Sequence, residues 1–344
     1  MLTEKELKKY SRQTVFSDIG VEGQERLKRS KIAIVGVGGT GTSAALYLAA
    51  AGINLRLIDR DLVELSNLPR QVLYSEKDID QPKATVARDV LQEKNPDIEI
   101  EACVSDFNPK TAERLVNDMD IVLDGTDNFE TRYVLNDACV KENIPFTYVG
   151  AIRAQLMFSF FIPGKTACIR CIFPENPPQG SLETCEIAGV LGPAAGIAGL
   201  ISAIEAVKYL VGSGDLLTNK LLYLDLTDFT IELMEIQRNM KCKVCVQHQF
   251  ETLEEKSKST RTVSLCGRNS FQVIPAQVVD LNLIELGNKL KRNPEFNISV
   301  ITDILIAMEY AGHPITLFRD GRLLMRNVQT ETEAKSIATK VLSF

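Results

Sequence analysis

Histidine is almost absent from this chain of 344 residues, which has only His248 and His313. Cys185 therefore has no histidine near it in sequence, which argues against a Cys–His nucleophile. Positive charge is not in excess either. The 39 Lys and Arg face 45 Asp and Glu, a formal net charge of -6. No general nucleic-acid-binding surface is expected from that balance. The opening Met1-Leu-Thr-Glu-Lys-Glu6 has no apolar signal segment, so a cytoplasmic protein is expected rather than a secreted one. The one apolar run, Ile187 to Ile204, is rich in Gly and Ala, contains Pro193 and meets Glu205 directly. It has too little Leu, Ile and Phe for a membrane span and reads as a buried helix or a subunit interface. Internal repeats and low-complexity tracts are also missing.

What is present begins with a strand, a glycine loop and a helix. Apolar Lys31–Val35 leads into Gly36-Val-Gly38-Gly39-Thr-Gly41 and an Ala/Leu-rich helix, and Asp59 closes the next strand, Leu55–Asp59. This pattern predicts a βαβ unit whose glycines let backbone N–H groups face an anion, with an acid for a ribose hydroxyl. Such loops serve NAD, FAD, ATP and S-adenosylmethionine alike. Two cations follow the acid: Arg70 in Ser66-Asn67-Leu-Pro-Arg70-Gln71, and Lys83 in Gln81-Pro-Lys83. A guanidinium and an ammonium past the ribose acid suit a triphosphate, because attack at its α-phosphorus needs charge neutralised along the chain. The reading thus moves from redox chemistry to nucleotidyl transfer. Asp124-Gly-Thr-Asp127-Asn128 follows the apolar strand Ile121–Leu123, at the strand end where open α/β sheets bind ligands. Asp127 suits Mg²⁺ against phosphate oxygens. One acid of this group, or Asn128, is equally suited to capping the next helix.

Strands and helices alternate over residues 31–150, and residues 154–162 and 221–236 alternate apolar with polar. The prediction is a Rossmann-like, doubly wound, mostly parallel sheet extended by antiparallel strands, behind a helical arm over residues 1–30. Residues 174–190 hold several Pro and Gly and read as a mobile loop. Residues 247–261 read as a linker. Residues 262–344 read as a small α+β domain: a strand over Thr262–Ile274, a helix over Pro275–Lys291, three strands near 298–325 and a last helix over Glu331–Leu342. The first domain then covers residues 1–246.

Four of the eight cysteines form two C-x-x-C pairs, Cys168/Cys171 and Cys242/Cys245. This spacing matches a closed, structural four-thiolate Zn²⁺ site that staples two remote segments, with a redox C-x-x-C or four ordinary core cysteines as the alternatives. Cys185 lies in the Pro/Gly loop as a candidate nucleophile or acceptor, although the flanking acids Glu183 and Glu186 are unfavourable for a thiolate. Cys266 is unassigned.

Together, Tyr10-Ser-Arg12-Gln, the glycine loop, Ser66–Gln71, Gln81–Lys83, Asp124–Asn128, Thr184-Cys185 and both C-x-x-C pairs resemble the ubiquitin-activating-enzyme-like superfamily. The resemblance is to its MoeB/ThiF sulfur-carrier adenylyltransferases and covers residues 8–246. Residues 262–344 resemble the carboxy-terminal extension of some Gram-positive members. The resemblance implies that Gly36, Gly38, Gly39 and Gly41 cradle phosphate and that Asp59 holds the ribose. Asn67, Arg70, Gln71 and Lys83 would line the triphosphate channel, Asp127 would bind Mg²⁺, and Asn128 would be a further nucleotide-binding residue. Arg12 would reach the ATP of the other subunit in a homodimer, and Cys185 would be the crossover-loop cysteine. The implied reaction is ATP-dependent adenylation of the C-terminal Gly-Gly of a ubiquitin-like sulfur carrier, MoaD-like for molybdopterin or ThiS-like for thiamine, with a sulfurtransferase as a further partner. Ala151-Ile-Arg153 leans toward the molybdopterin branch. The alternatives are a tRNA-modifying, ATP-dependent dehydratase of the same superfamily, an NAD-dependent oxidoreductase, and a non-catalytic nucleotide sensor.

Overall fold

The structure is a computed structural model that describes residues 1–175, 188–254, 261–265, 270–276 and 279–343. By its internal contacts the chain divides into two units, Met1–Glu255 and Lys256–Phe344.

The first unit opens with three helices, Glu4–Lys9, Ser11–Thr14 and Gly20–Arg29. Its sheet holds β1 (Lys31–Val35), β2 (Asn54–Ile58), β3 (Ile100–Cys103), β4 (Ile121–Asp124), β5 (Phe146–Ile152), β6 (Gln155–Phe161), β7 (Lys220–Asp225) and β8 (Thr230–Glu235). The spatial order is β3-β2-β1-β4-β5-β6-β7-β8. The first five strands are parallel and the last three pair antiparallel. This is the doubly wound, antiparallel-extended sheet that the alternation of elements predicts.

Burial explains the continuous apolar strands. In β1, Ile32 and Ile34 enter one core and Ala33 and Val35 enter the other, so both faces are covered. Helices Gly39–Ala50, Lys83–Lys94 and Gly192–Val211 line the first face, and Ala112–Val116 and Phe129–Lys141 line the second. The apolar run expected to be a buried helix or an interface is Gly192–Val211. By length and composition it could cross a membrane, but half of that window is buried. It packs on Gly39–Ala50, β5 and β6. The approach is close: a Cβ on Gly199 would lie 2.2 Å from the Thr40 carbonyl oxygen. Glu205, buried in this helix, accepts the Leu217 N–H at 2.7 Å and pairs with Lys208.

Part of the expected linker over 247–261 belongs to the first unit. Glu251–Glu254 forms a helical turn whose Leu253 is buried against Phe129–Lys141. Phe250 packs on the same core and Arg170 bonds Thr252, so two apolar side chains and one polar bond hold the turn in place.

The second unit is a six-stranded antiparallel sheet with two helices, Leu283–Leu290 and Glu331–Leu342. Its strands are β9 (Arg261–Leu265), β10 (Ser270–Ile274), β11 (Phe296–Ile301), β12 (Leu305–Tyr310), β13 (His313–Phe318) and β14 (Leu323–Met325), in the order β11-β12-β13-β14-β10-β9. The single strand expected over Thr262–Ile274 is a pair, and the three expected near 298–325 are four. Val273, Leu283, Ile306, Leu317, Leu323 and Ile337 share one apolar core. Cys266 lies outside the described residues.

Candidate active site

The strand order reverses between β1 and β4, and their carboxyl ends carry the two loops expected to bind ligand. A crevice opens at such a switch point. The loops cross closely: a Cβ on Gly125 would lie 2.2 Å from the Gly36 carbonyl oxygen, and one on Gly41 2.0 Å from the same atom. Gly36 also has φ +88°, which favours glycine. Helix Gly39–Ala50 has no side-chain cap among the described residues, and its first ladder bond runs from Thr42 N–H to the Gly38 carbonyl at 2.9 Å. The amides of Gly39, Thr40 and Gly41 therefore precede the ladder, at the positive end of the helix.

The middle peptide of the loop is held from both sides. The Val37 N–H donates to Asp59 Oδ2 at 2.7 Å, and the Val37 carbonyl accepts from the Tyr74 hydroxyl at 2.8 Å. The other Asp59 oxygen accepts the Asp61 N–H at 2.8 Å. Burial raises the Asp59 pKa, although Lys83 opposes it. Tyr74 also lies 3.3 Å from the Lys83 carbonyl. Lys83 is 7% exposed. Burial works against its ammonium, but Asp61, Asp59 and Asp127 outweigh burial, so its pKa rises and the cation persists. Its Nζ sits 3.4 Å from Asp61 Oδ2. Sequence reading missed Asp61 and Tyr74. An acid two residues past Asp59 was the available signal for the first, and nothing local marks the second.

Asn67, Arg70 and Gln71 flank the loop. The Arg70 carbonyl lies 3.3 Å from the Cβ position of Gly39, and Gln71 Nε2 lies 3.7 Å from that of Gly38. Arg70 Nη1 donates to the Ser66 carbonyl at 2.8 Å, and the Asn67 side chain accepts the Glu64 N–H at 3.3 Å. The Gln71 amide oxygen is buried without a hydrogen-bond partner among the described residues, so this amide retains capacity for a ligand.

The three polar residues at the end of β4 have separate roles. Asp124 is fully buried: Oδ1 accepts from Thr126 N and Oγ1 at 2.9 and 2.7 Å, and Oδ2 faces Arg132 Nε at 3.0 Å. Arg132 also donates to the carbonyls of Thr126 and Val149 and lies over the rings of Phe129 and Tyr148. Asn128 caps Phe129–Lys141, accepting the Thr131 N–H at 2.9 Å. Asp127 is exposed, with Asn128 Nδ2 at 3.3 Å, and its charge is felt at Lys83. An exposed carboxylate beside the phosphate loop fits a Mg²⁺ ligand. Arg132 was not foreseen, since nothing in the sequence distinguishes it from a surface arginine.

Arg12 is exposed on the amino-terminal arm. Its neighbours dock at the far end of Gly39–Ala50: Tyr10 packs on Gly52, and Gln13 Nε2 reaches the Ala51 carbonyl at 3.4 Å. Cys185 lies outside the described residues.

Cys168, Cys171, Cys242 and Cys245 place their sulfurs within 4.8 Å of one another. Three separations are 4.0, 3.7 and 3.5 Å. A tetrahedral Zn–S₄ site with bonds of about 2.3 Å needs about 3.8 Å between sulfurs, so the donor set fits Zn²⁺.

The model of the ThiF family matches residues 10–244. The chain belongs to the ThiF family. Among ThiF-family relatives, the Sulfur carrier protein ThiS adenylyltransferase of Bacillus subtilis is 34% identical over 348 residues, covering 96% of this chain and 98% of that protein. The Sulfur carrier protein adenylyltransferase of Thermus thermophilus is 38% identical over 249 residues, covering 71% of this chain and 92% of that one. Among solved structures, Escherichia coli MccB with AMPCPP and MccA aligns with a TM-score of 0.64 and 27% identity, over 71% of this chain and 75% of that chain.

Proposed function

We propose that this protein adenylates the C-terminal glycine carboxylate of a ubiquitin-like sulfur-carrier protein with ATP, in the cytoplasm, and that the carrier is ThiS-like. The carrying observation is Lys83: a buried cation set among Asp59, Asp61 and Asp127 beside the glycine loop. An oxidoreductase has no use for that cation, whereas a triphosphate does. The relative named for ThiS matches both units of this chain, which favours the thiamine carrier over the molybdopterin one.

In this reading a carrier carboxylate oxygen bonds to the α-phosphorus, the bond from that phosphorus to the bridging oxygen breaks, and pyrophosphate leaves. No protein base is needed, because the carboxylate is already ionised at neutral pH. The loop amides and Lys83 offset phosphate charge, Arg70 follows along the channel, and Asp127 would hold the Mg²⁺ that neutralises the leaving pyrophosphate. A sulfurtransferase would then displace AMP from the acyl-adenylate.

Arg12 would act on a second copy of the chain. Its docked neighbours sit at the end of a 12-residue helix, about 18 Å from the glycine loop at its start. Exposed Tyr47, Leu200 and Ile204, on two helices packed together, supply an apolar surface for a homodimer. Exposed Phe229, just before β8, and Ile231 and Leu233 on β8 would receive the carrier. The start of β8 lies at the same sheet edge as the nucleotide loops, because Thr230 pairs with Asp225, Asp225 with Gln155 and Gln155 with Ile152. From β8 to β4 is about 19 Å at ~4.8 Å per strand, a span for about six extended residues of a carrier tail.

The test is ATP–pyrophosphate exchange with purified ThiS-type and MoaD-type carriers. Exchange is expected with the first, abolished by Asp127→Ala and by removal of the carrier's last glycine. No exchange with either carrier refutes the reading.

A further inference from the structure

The cysteine knot and the Asp127 loop grip the same helix. Phe129–Lys141 starts at the Asn128 cap, and one turn in, Arg132 fixes Asp124 and the Thr126 carbonyl. One turn further, the helix meets the chain around Cys168 and Cys171. The fully buried Asn136 accepts the Ile169 N–H at 2.9 Å, on the residue directly after Cys168. Arg170, between the two cysteines, lies 3.7 Å from the centre of the Tyr133 ring and bonds Thr252 beyond Cys245. The Tyr133 hydroxyl faces the carbonyls of Phe173 and Glu175 at 3.1 and 2.9 Å. Residues 128, 132 and 136 fall on one helix face, spaced four apart, and 133 lies beside them. About 12 Å of rigid helix thus separates the knot from the loop.

We propose that the four-thiolate knot positions the Asp127 loop through this helix, with Tyr133 and Asn136 as the positioning residues. The proposal rests on the reading of Asp127 as part of the Mg·ATP site. The Cys168–Cys171 segment packs on Asn136 and Tyr133, and its sulfurs join it to Cys242 and Cys245, so metal binding fixes the helix along and about its axis. That placement sets where Asn128 starts the helix and where Asp127 precedes it. Losing the knot frees Ile169 and Arg170, and the helix then keeps at that end its apolar contacts and the Lys141–Glu113 pair.

Coupling of this kind is reciprocal: if bound zinc tightens Mg·ATP binding by some factor, Mg·ATP tightens zinc retention by the same factor. The experiment measures zinc transfer to a colorimetric chelator from the full-length zinc-loaded protein, with and without Mg·ATP. Mg·ATP affinity is measured in parallel by calorimetry. In the unaltered protein Mg·ATP is expected to lower the extent of transfer about fivefold. Tyr133→Phe keeps the ring under Arg170 and removes only the hydroxyl. It is expected to load one zinc per chain, bind Mg·ATP several-fold more weakly and bring the protection factor close to one. Asn136→Ala is the second variant and is expected to do the same more strongly. Full protection retained in Tyr133→Phe overturns the proposal, since general stabilisation by ligand would survive that change. Zinc release indifferent to bound Mg·ATP in the unaltered protein also overturns it. Failure to bind Mg·ATP at all instead removes the site reading beneath it, so the two failures are distinguishable.

Discussion

Replacing Arg132 by leucine is the most direct test of how the loop after β4 is built. The Asp124 side chain has no exposed surface, and Arg132 is its only cationic partner among the described residues. The substitution strands a carboxylate away from water, which typically costs about 3–5 kcal/mol. Bonds from Thr126 N and Oγ1 to Asp124 remain and keep the penalty from growing further. The carbonyls of Thr126 and Val149 lose their guanidinium donor at the same time. A net cost of about 4 kcal/mol corresponds to a melting shift of roughly 8–16 °C for a unit of this size. Differential scanning calorimetry of Arg132→Leu reads it directly. The double variant Arg132→Leu with Asp124→Leu should recover part of the loss, since replacing both charges removes the stranded one. A shift below about 3 °C in the single variant, or no recovery in the double, would refute the assignment of this pair as the anchor of the loop.

Three further outcomes follow from other positions. Gly41→Ala places a Cβ 2.0 Å from the Gly36 carbonyl, so the helix start must move and ATP binding by calorimetry should be lost. Cys242→Ser should leave the purified protein short of zinc by mass spectrometry and less stable, because its sulfur lies 3.7 Å from that of Cys168 in the fitted set. Glu6 is held down to about 2 by its hydrogen bond with Lys28 and then by Thr3, so it stabilises the arm fully above its ordinary value of 4.5 and loses that effect as pH falls toward 2. Glu6→Gln should therefore raise hydrogen exchange in the arm at neutral pH, with the difference from the unaltered protein shrinking as the solution is acidified.

The parts of this fold legible in sequence are those carried by local pattern. Ile32–Val35 and Ile121–Leu123 are continuous apolar runs because both faces of their sheet are covered. The helix expected directly after the glycine loop is Gly39–Ala50. The two C-x-x-C pairs meet although about 70 residues separate them, because soft-metal spacing is a chemical signature that survives distance. What sequence hid is tertiary. Arg132 reads like any helix arginine until β4 and β5 bury it. The Tyr74 hydroxyl and the Asn136 amide oxygen each meet backbone groups that only folding brings near. Thr262–Ile274 is a different case: polar Gly267-Arg268-Asn269-Ser270 between its apolar ends was a local signal for its division into two strands.

The clamp on Val37 changes how any variant of Asp59 must be interpreted. One carboxylate oxygen holds the glycine loop through its backbone, so replacing this acid alters the cradle proposed for the triphosphate as well as the contact proposed for the sugar. A lower affinity for ATP would then say nothing by itself about the ribose. Comparing ATP with its 2′-deoxy and 3′-deoxy forms on one variant separates the two contributions, since a loop defect penalises all three nucleotides alike while a lost sugar contact erases the difference between them.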